Sequence, residues 1–304
     1  MSLTIAIPSY NKEKYIERCI KSVLIEKNLV DKIIVVDNCS SDKTIEIARK
    51  FEPEITCIVN ETNLGMSGNF NKCIELCETE WLMILHADDE LLPGAISKYL
   101  EYIKKYPDLG LIHADSYSIV DGDESTKNLN QIHKKELWKA GLDALSCPYG
   151  VCSAVMVKKS AYDKLGGFIN WSLSSDAEMW ARIAGKYDVG YINHPTVIYH
   201  ISAASLGPQS LIKRSVKQIK ADWDNLNQRI SESYPTPESS KAYLDRMHQA
   251  GPANYWPVFK ANLIEGNYKN AIHALYIIVF TYNGLIPLCK IVGRYALKRL
   301  KIKG

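Results

Sequence analysis

Ile33-Ile34-Val35-Val36-Asp37-Asn38-Cys39-Ser40 is the stretch on which the fold turns. Four consecutive β-branched residues suit a strand covered on both faces, as in a parallel sheet flanked by helices. The run ends abruptly in an acid and a polar cluster. Upstream, Ile16, Cys19, Ile20, Val23 and Leu24 recur at helical spacing and predict a helix over 12–26 with one buried face. Before it, Leu3 to Ile7 is a short apolar strand closed by Pro8. Downstream follow a helix from about Asp42, a strand over 55–59, a helix over about 69–77 and a strand over 81–85. Strands alternating with helices predict an α/β fold with a mainly parallel, twisted, Rossmann-like sheet. The middle of the chain, 109–200, is expected to carry shorter strands and two further helices. Beyond Gly207 the pattern is helical only, interrupted at Pro235 and Pro237. The expected division is an α/β domain over 1–206 and a helical extension over 207–304.

Ligands of such sheets sit beyond the carboxyl ends of the strands. Three polar clusters lie there: Ser9-Tyr10-Asn11, Asp37-Asn38-Cys39-Ser40 and His86-Ala87-Asp88-Asp89-Glu90. None carries a Gly-rich dinucleotide fingerprint or a phosphate-cradling loop with Lys, which excludes an ordinary NAD or ATP site. Adjacent carboxylates at one strand end repel, and a hard divalent cation shared with phosphate offsets that cost. A solvated turn before the helix at Pro93-Gly94 is the plainer alternative. Asp42 reads as a helix cap. Asp37, at the last strand position, reads as a ligand contact. Asp176 opens a helix bearing Met179, Trp180 and Ile183 on one stripe, and serves either as its cap or as a general base near an acceptor hydroxyl.

Taken in order, Pro8-Ser9-Tyr10-Asn11, Val35 to Thr44, Asn63-Leu64-Gly65 with Gly68-Asn69, Ala87-Asp88-Asp89, Gly166-Gly167-Phe168 and Ser175 to Arg182 resemble family 2 glycosyltransferases over about residues 3–206. The resemblance implies the GT-A fold, with a donor half over about 1–115 and an acceptor half over 116–206. It implies inverting transfer from a nucleotide diphosphate sugar with Mn2+ or Mg2+. By the same resemblance Asp37 holds the nucleotide, Pro8 and Tyr10 line the base pocket, and Asn11, Asn63, Gly65 and Asn69 belong to the donor side. Asp88 is the metal ligand, Asp89 positions sugar hydroxyls or water, and Asp176 is the base. Three positions depart from the pattern. His86 replaces the first acid of the DxD motif, Ser175 replaces the acid before the base, and Ser202 stands where a metal-contacting histidine is usual. His200 lies two places earlier, on the same strand face, and is either a metal ligand or an ordinary surface or core histidine. The departures at His86 and Ser175 also motivate a rival reading, a nucleotide-sugar-binding partner without turnover in a glycan assembly complex. The loop from Asp121 to Lys135 is expected to shape the pocket and so the choice of substrate.

The net charge of +3 is unevenly placed: no acid follows Glu265, whereas Lys290, Arg294, Lys298, Arg299, Lys301 and Lys303 are basic. Apolar residues interleave with them, the composition of an interfacial amphipathic helix. A solvated basic face of a packed helix is the alternative. The apolar stretch 274–282 is too short to span a bilayer, which takes ~20 residues. Few stacking aromatics accompany the charges, so nucleic acid is not an expected partner. The eight cysteines are scattered, several within apolar periodic segments, and read as reduced core residues. With no signal segment ahead of the first strand, the expected location is cytoplasmic, peripheral on the inner face of the membrane. The expected acceptor is a glycan or lipid-linked saccharide.

Overall fold

The computed structural model describes residues 1–131, 134–147, 150–169, 175–201, 215–264 and 266–278. The chain divides into two compact units, Met1–Ser202 and Ala203–Gly304.

The first unit is an α/β fold around one curled sheet. Its strands are β1 (Leu3–Ser9), β2 (Lys32–Asp37), β3 (Thr56–Val59), β4 (Trp81–Ile84), β5 (Glu90–Leu91), β6 (Leu109–Val120), β7 (Asp123–Asn130), β8 (Leu137–Trp138), β9 (Val155–Lys158) and β10 (Asp188–Ile201). The order is β3-β2-β1-β4-β9-β6-β10-β5, with β7 on β6 and β8 on β10. β3, β2, β1 and β4 are parallel throughout. β9 is antiparallel to both β4 and β6, and β10 then runs parallel to β6. Ile33 to Val36 are all buried, as a strand covered on both faces requires.

The helices are α1 (Ile16–Leu24), α2 (Thr44–Arg49), α3 (Gly65–Glu75), α4 (Ala95–Lys105), α5 (Leu142–Leu145), α6 (Lys159–Leu165) and α7 (Ser175–Ala184). The stripe on α1 behaves as its spacing requires: Ile16, Cys19, Ile20 and Val23 are wholly buried, each such side chain stabilising by about 1.5–3 kcal/mol. The helix nevertheless starts four residues later than expected. Asn11 takes a left-handed conformation (φ 51°), the Lys12 N–H donates to Thr44 Oγ1, and residues 12–15 form a turn instead. α3 starts earlier than expected, at Gly65 (φ 71°).

The middle of the chain departs most from expectation. Instead of shorter strands it holds the two longest, β6 and β10, of 12 and 14 residues. They are so long because they pair with each other over nearly their whole length. Pro195, which has no N–H to give a ladder, is taken up by register shifts on either side of it. Among the described residues of this region there are three helices, α5 to α7, rather than two, α5 being a single turn.

The second unit contains α8 (Val216–Ser231), α9 (Pro237–Ile264) and α10 (Tyr268–Tyr276). α8 is opened by a reciprocal capping box between Ser215 and Gln218. Tyr243 on α9 donates to Asn227 Oδ1 on α8 and stacks on Tyr234. The basic segment 290–303 and Ser202 lie outside the described residues.

Candidate active site

The carboxyl ends of β1, β2, β4, β6 and β10 share one edge of the sheet, and the site is built there. Asp37 closes β2 and is 1% exposed. Its Oδ1 accepts from Ser9 Oγ at 2.9 Å and Ser40 Oγ at 2.6 Å, and its Oδ2 from the Ser40 N–H at 2.8 Å. These bonds leave part of Oδ2 for a further donor. Asn11 joins the same corner: its Oδ1 accepts from the Ser41 N–H, and its N–H donates to Ser40 Oγ. Pro8 is buried within β1, paired with Val36, while Tyr10 stands 48% exposed at the rim.

The Asn63–Asn69 region is an amide network. Asn63 Oδ1 accepts from Asn38 Nδ2 and from the Gly65 N–H, which shapes the turn into α3. Asn69 is buried, accepting from Asn60 Nδ2 and donating to the Val36 carbonyl. Asn69 thus locks α3 onto β2 rather than facing the crevice, whereas Asn63 is exposed.

Beyond β4 the chain enters the acidic turn. Asp89 is fully buried; its Oδ2 accepts from Ser153 Oγ at 2.5 Å and its Oδ1 from the His200 N–H at 2.9 Å. Burial pushes the Asp89 carboxyl up to about 6, against the pull of His86. Asp88 is the more open of the two. Burial acts to raise its pKa, but the Lys12 ammonium, 2.5 Å from Oδ2, brings it below the ordinary value. His86 stacks on Phe70 with centroids 5.4 Å apart. Ligand atoms of His86, Asp88 and Asp89 all lie within 4.8 Å of one another. His200 is placed beside this group but engages elsewhere: its Nε2 is 2.7 Å from Glu90 Oε1, which also pairs with Arg18.

A cavity of about 440 Å³ adjoins the acidic turn, lined among others by His86, Ser116, Asn130, Cys152, Asp176 and Tyr199. Asp176 lies in the first turn of α7 and accepts from the neighbouring Ala177 N–H. Burial raises the pKa of the Tyr199 hydroxyl, followed by the charges of Asp89, Asp88 and Asp176, so all three acids bear on one wall. Glu178 points away: it is 1% exposed and pairs with Arg182, which also donates to the Leu165 and Gly167 carbonyls. Asn130 reaches the cavity from the hairpin of β6 and β7, within the 121–135 stretch expected to shape it.

Three site residues carry no sequence signal of their own. Lys12 was expected inside a helix. Arg18 reads as a polar face of α1, yet its Nη2 donates to the Asp88 carbonyl at 3.0 Å. Ser153 sits in an unpatterned turn before β9.

The glycosyl transferase family 2 model matches residues 4–166. An uncharacterized protein of Mycobacterium tuberculosis is 31% identical over 67% of this chain and 68% of its own. A putative teichuronic acid biosynthesis glycosyltransferase of Bacillus subtilis is 31% identical over 33% of this chain, spanning 41% of that relative. Among solved structures, Staphylococcus aureus TarS 1–349 in complex with UDP-GlcNAc shares the fold, with a TM-score of 0.61, 14% identity and coverage of 93% and 92% of the two chains. The order of the strands, the acids at their ends and the extent of the family match agree: this chain belongs to glycosyl transferase family 2, and is a glycosyltransferase of the GT-A fold.

Proposed function

We propose that the protein is a metal-dependent inverting transferase, moving a sugar from a nucleotide diphosphate to a hydroxyl of a glycan or lipid-linked saccharide. The observation that carries this reading is one cavity lined by both Asp176 and His86, the latter grouped with Asp88 and Asp89 within 4.8 Å.

The donor set suits Mn2+ or Mg2+: two carboxylates offer hard oxygen ligands, and His86 Nε2 is buried without a hydrogen-bond partner among the described residues. Asp88, with Asp89 and His86, would hold the ion, which supplies Lewis-acid neutralisation of the departing diphosphate. Asp37 accepts from the nucleoside, with Tyr10 against the base. Asp176 takes the proton of the acceptor hydroxyl as its oxygen attacks the anomeric carbon. The bond from that carbon to the diphosphate oxygen breaks on the opposite face, so the configuration inverts. Nucleoside diphosphate and glycoside leave.

A membrane-facing acceptor is supported by the helical unit. Tyr268, Ile272 and Tyr276 on α10, spaced four apart, are 65%, 67% and 57% exposed, and the basic segment 290–303 follows. No helix among the described residues is long and apolar enough to cross a membrane. The teichuronic acid relative supports a polysaccharide acceptor.

The test is a calorimetric titration of UDP and GDP, each with and without Mn2+, into wild-type protein and Asp88→Asn. At least one nucleotide should bind more tightly with Mn2+, and the substitution should remove most of that gain. Equal gains in both proteins would show that Asp88 does not hold the ion.

A further inference from the structure

The cation that Asp88 holds in this fold is the ammonium of Lys12, and its placement is built by the backbone. Lys12 Nζ lies 2.5 Å from Asp88 Oδ2. The left-handed Asn11 turns the chain, the Lys12 N–H donates to Thr44 Oγ1 at 2.7 Å, and α1 begins only at Ile16. None of these contacts uses the lysine side chain, so Lys12 is delivered to the crevice whatever its ammonium does. That side chain is 31% exposed. Arg18, the other cation at the turn, is committed differently: it holds the Asp88 carbonyl and pairs with Glu90.

An ammonium and a divalent ion cannot share one carboxylate oxygen, because both positive charges would be brought within a few ångströms of each other. His86, standing where an acid is usual, adds no negative charge to draw the ion in. A diphosphate supplies what is missing, since its oxygens accept from an ammonium as readily as a carboxylate does. Resting on the metal reading above, we propose that Lys12 is an exchangeable counter-ion. It neutralises Asp88 in the free enzyme and passes to the donor's diphosphate as the metal takes Asp88. Metal and diphosphate therefore bind cooperatively, each raising the other's affinity by the same factor. Lys12 is a positioning residue for the diphosphate, and it sets the order in which the site fills.

The test uses the full chain, Mn2+ alone, and pyrophosphate as a diphosphate free of base or sugar. In Lys12→Met, Mn2+ alone should bind roughly ten-fold more tightly than in wild type, the scale of one charge-assisted hydrogen bond no longer competing. Pyrophosphate at saturating Mn2+ should bind roughly ten-fold more weakly, for loss of the same kind of contact. Lys12→Arg, which keeps the charge, should resemble wild type in both titrations. A general disturbance of the fold would weaken both affinities, so the rise in Mn2+ affinity is the discriminating readout. If Lys12→Met and wild type bind Mn2+ alike, or Lys12→Met binds it less well, the counter-ion role is wrong while the metal site stands. If neither protein binds Mn2+ even with pyrophosphate, the metal reading falls and this inference with it.

Discussion

Asp89 Oδ1 accepts the backbone N–H of His200 at 2.9 Å, joining residues 111 positions apart, while its other oxygen holds Ser153. One buried carboxylate thus fastens the acidic turn to the end of β10 and to the entry of β9.

That burial has a pH signature. The Asp89 carboxyl stands at about 6 in the fold against 3.8 as the ordinary value, so between these the native state holds a proton that the unfolded chain has released. Stability contributed by this group therefore falls as pH rises from about 4 to about 6, and the penalty is fully present above 6. In EDTA, the unfolding midpoint of wild type relative to Asp89→Asn should be higher at pH 5 than at pH 7.5. An unchanged difference between the two proteins at both pH values would rule out Asp89 as the titrating group.

Asp176→Asn is expected to preserve donor affinity and lower the chemical step by roughly two to four orders of magnitude, the usual span for removing a general base. Single-turnover transfer measures this once an acceptor is in hand, and slow donor hydrolysis serves before then. Glu178→Gln provides the contrast. Because Glu178 is buried against Arg182 on another face of α7, its loss should lower thermal stability rather than act selectively on the chemical step.

Gly167 tests the scaffold behind α7. A Cβ there would lie 2.1 Å from Asn71 Oδ1, the atom that accepts the Phe168 N–H, while Asn71 Nδ2 donates to the Phe168 carbonyl. Gly167→Ala should cost roughly 1–3 kcal/mol, as overpacking of a tight site does. Denaturant unfolding reads the change directly, and a midpoint equal to wild type would show that Asn71 yields without loss.

The basic segment carries a separate expectation. Each Lys or Arg near an anionic bilayer contributes about 1 kcal/mol, fading within a Debye length of roughly 8 Å. Full-length protein should sediment with anionic vesicles, less so with neutral vesicles or in high salt, and a chain ending at Leu288 should stay in the supernatant. Equal partitioning of the two chains would make 290–303 a solvated face.

What the sequence revealed and what it hid follow from where each signal resides. The run from Ile33 to Val36 and the polar residues after it are local, so strand, burial and crevice edge were legible together. The paired acids at Asp88 and Asp89 were legible for the same reason. Lys12 was not, because the start of α1 is fixed by Thr44, 32 residues away, and not by the apolar stripe that defines the helix. Val155-Met156-Val157 announces a buried strand, but periodicity has no sign and cannot say that β9 runs against its neighbours. The extent of β6 and β10 was hidden likewise, since each is long only because the other is.

The reversal of β9 reaches beyond topology. β1, β2 and β4 bring their carboxyl ends and the residues after them to the crevice, whereas β9, antiparallel to β4 and β6, brings those before it, so Cys152 and Ser153 enter from a separate stretch of chain. That stretch lies on the cavity wall, apart from the Asp37 corner where the nucleoside would rest. Cys152 lines that wall together with Asp176, while Ser153 holds the acidic turn through Asp89, so this one short stretch touches both sides of the crevice. A strand inserted backwards thus ties the acidic turn to the wall that carries Asp176, and a change in those two residues would be felt by both.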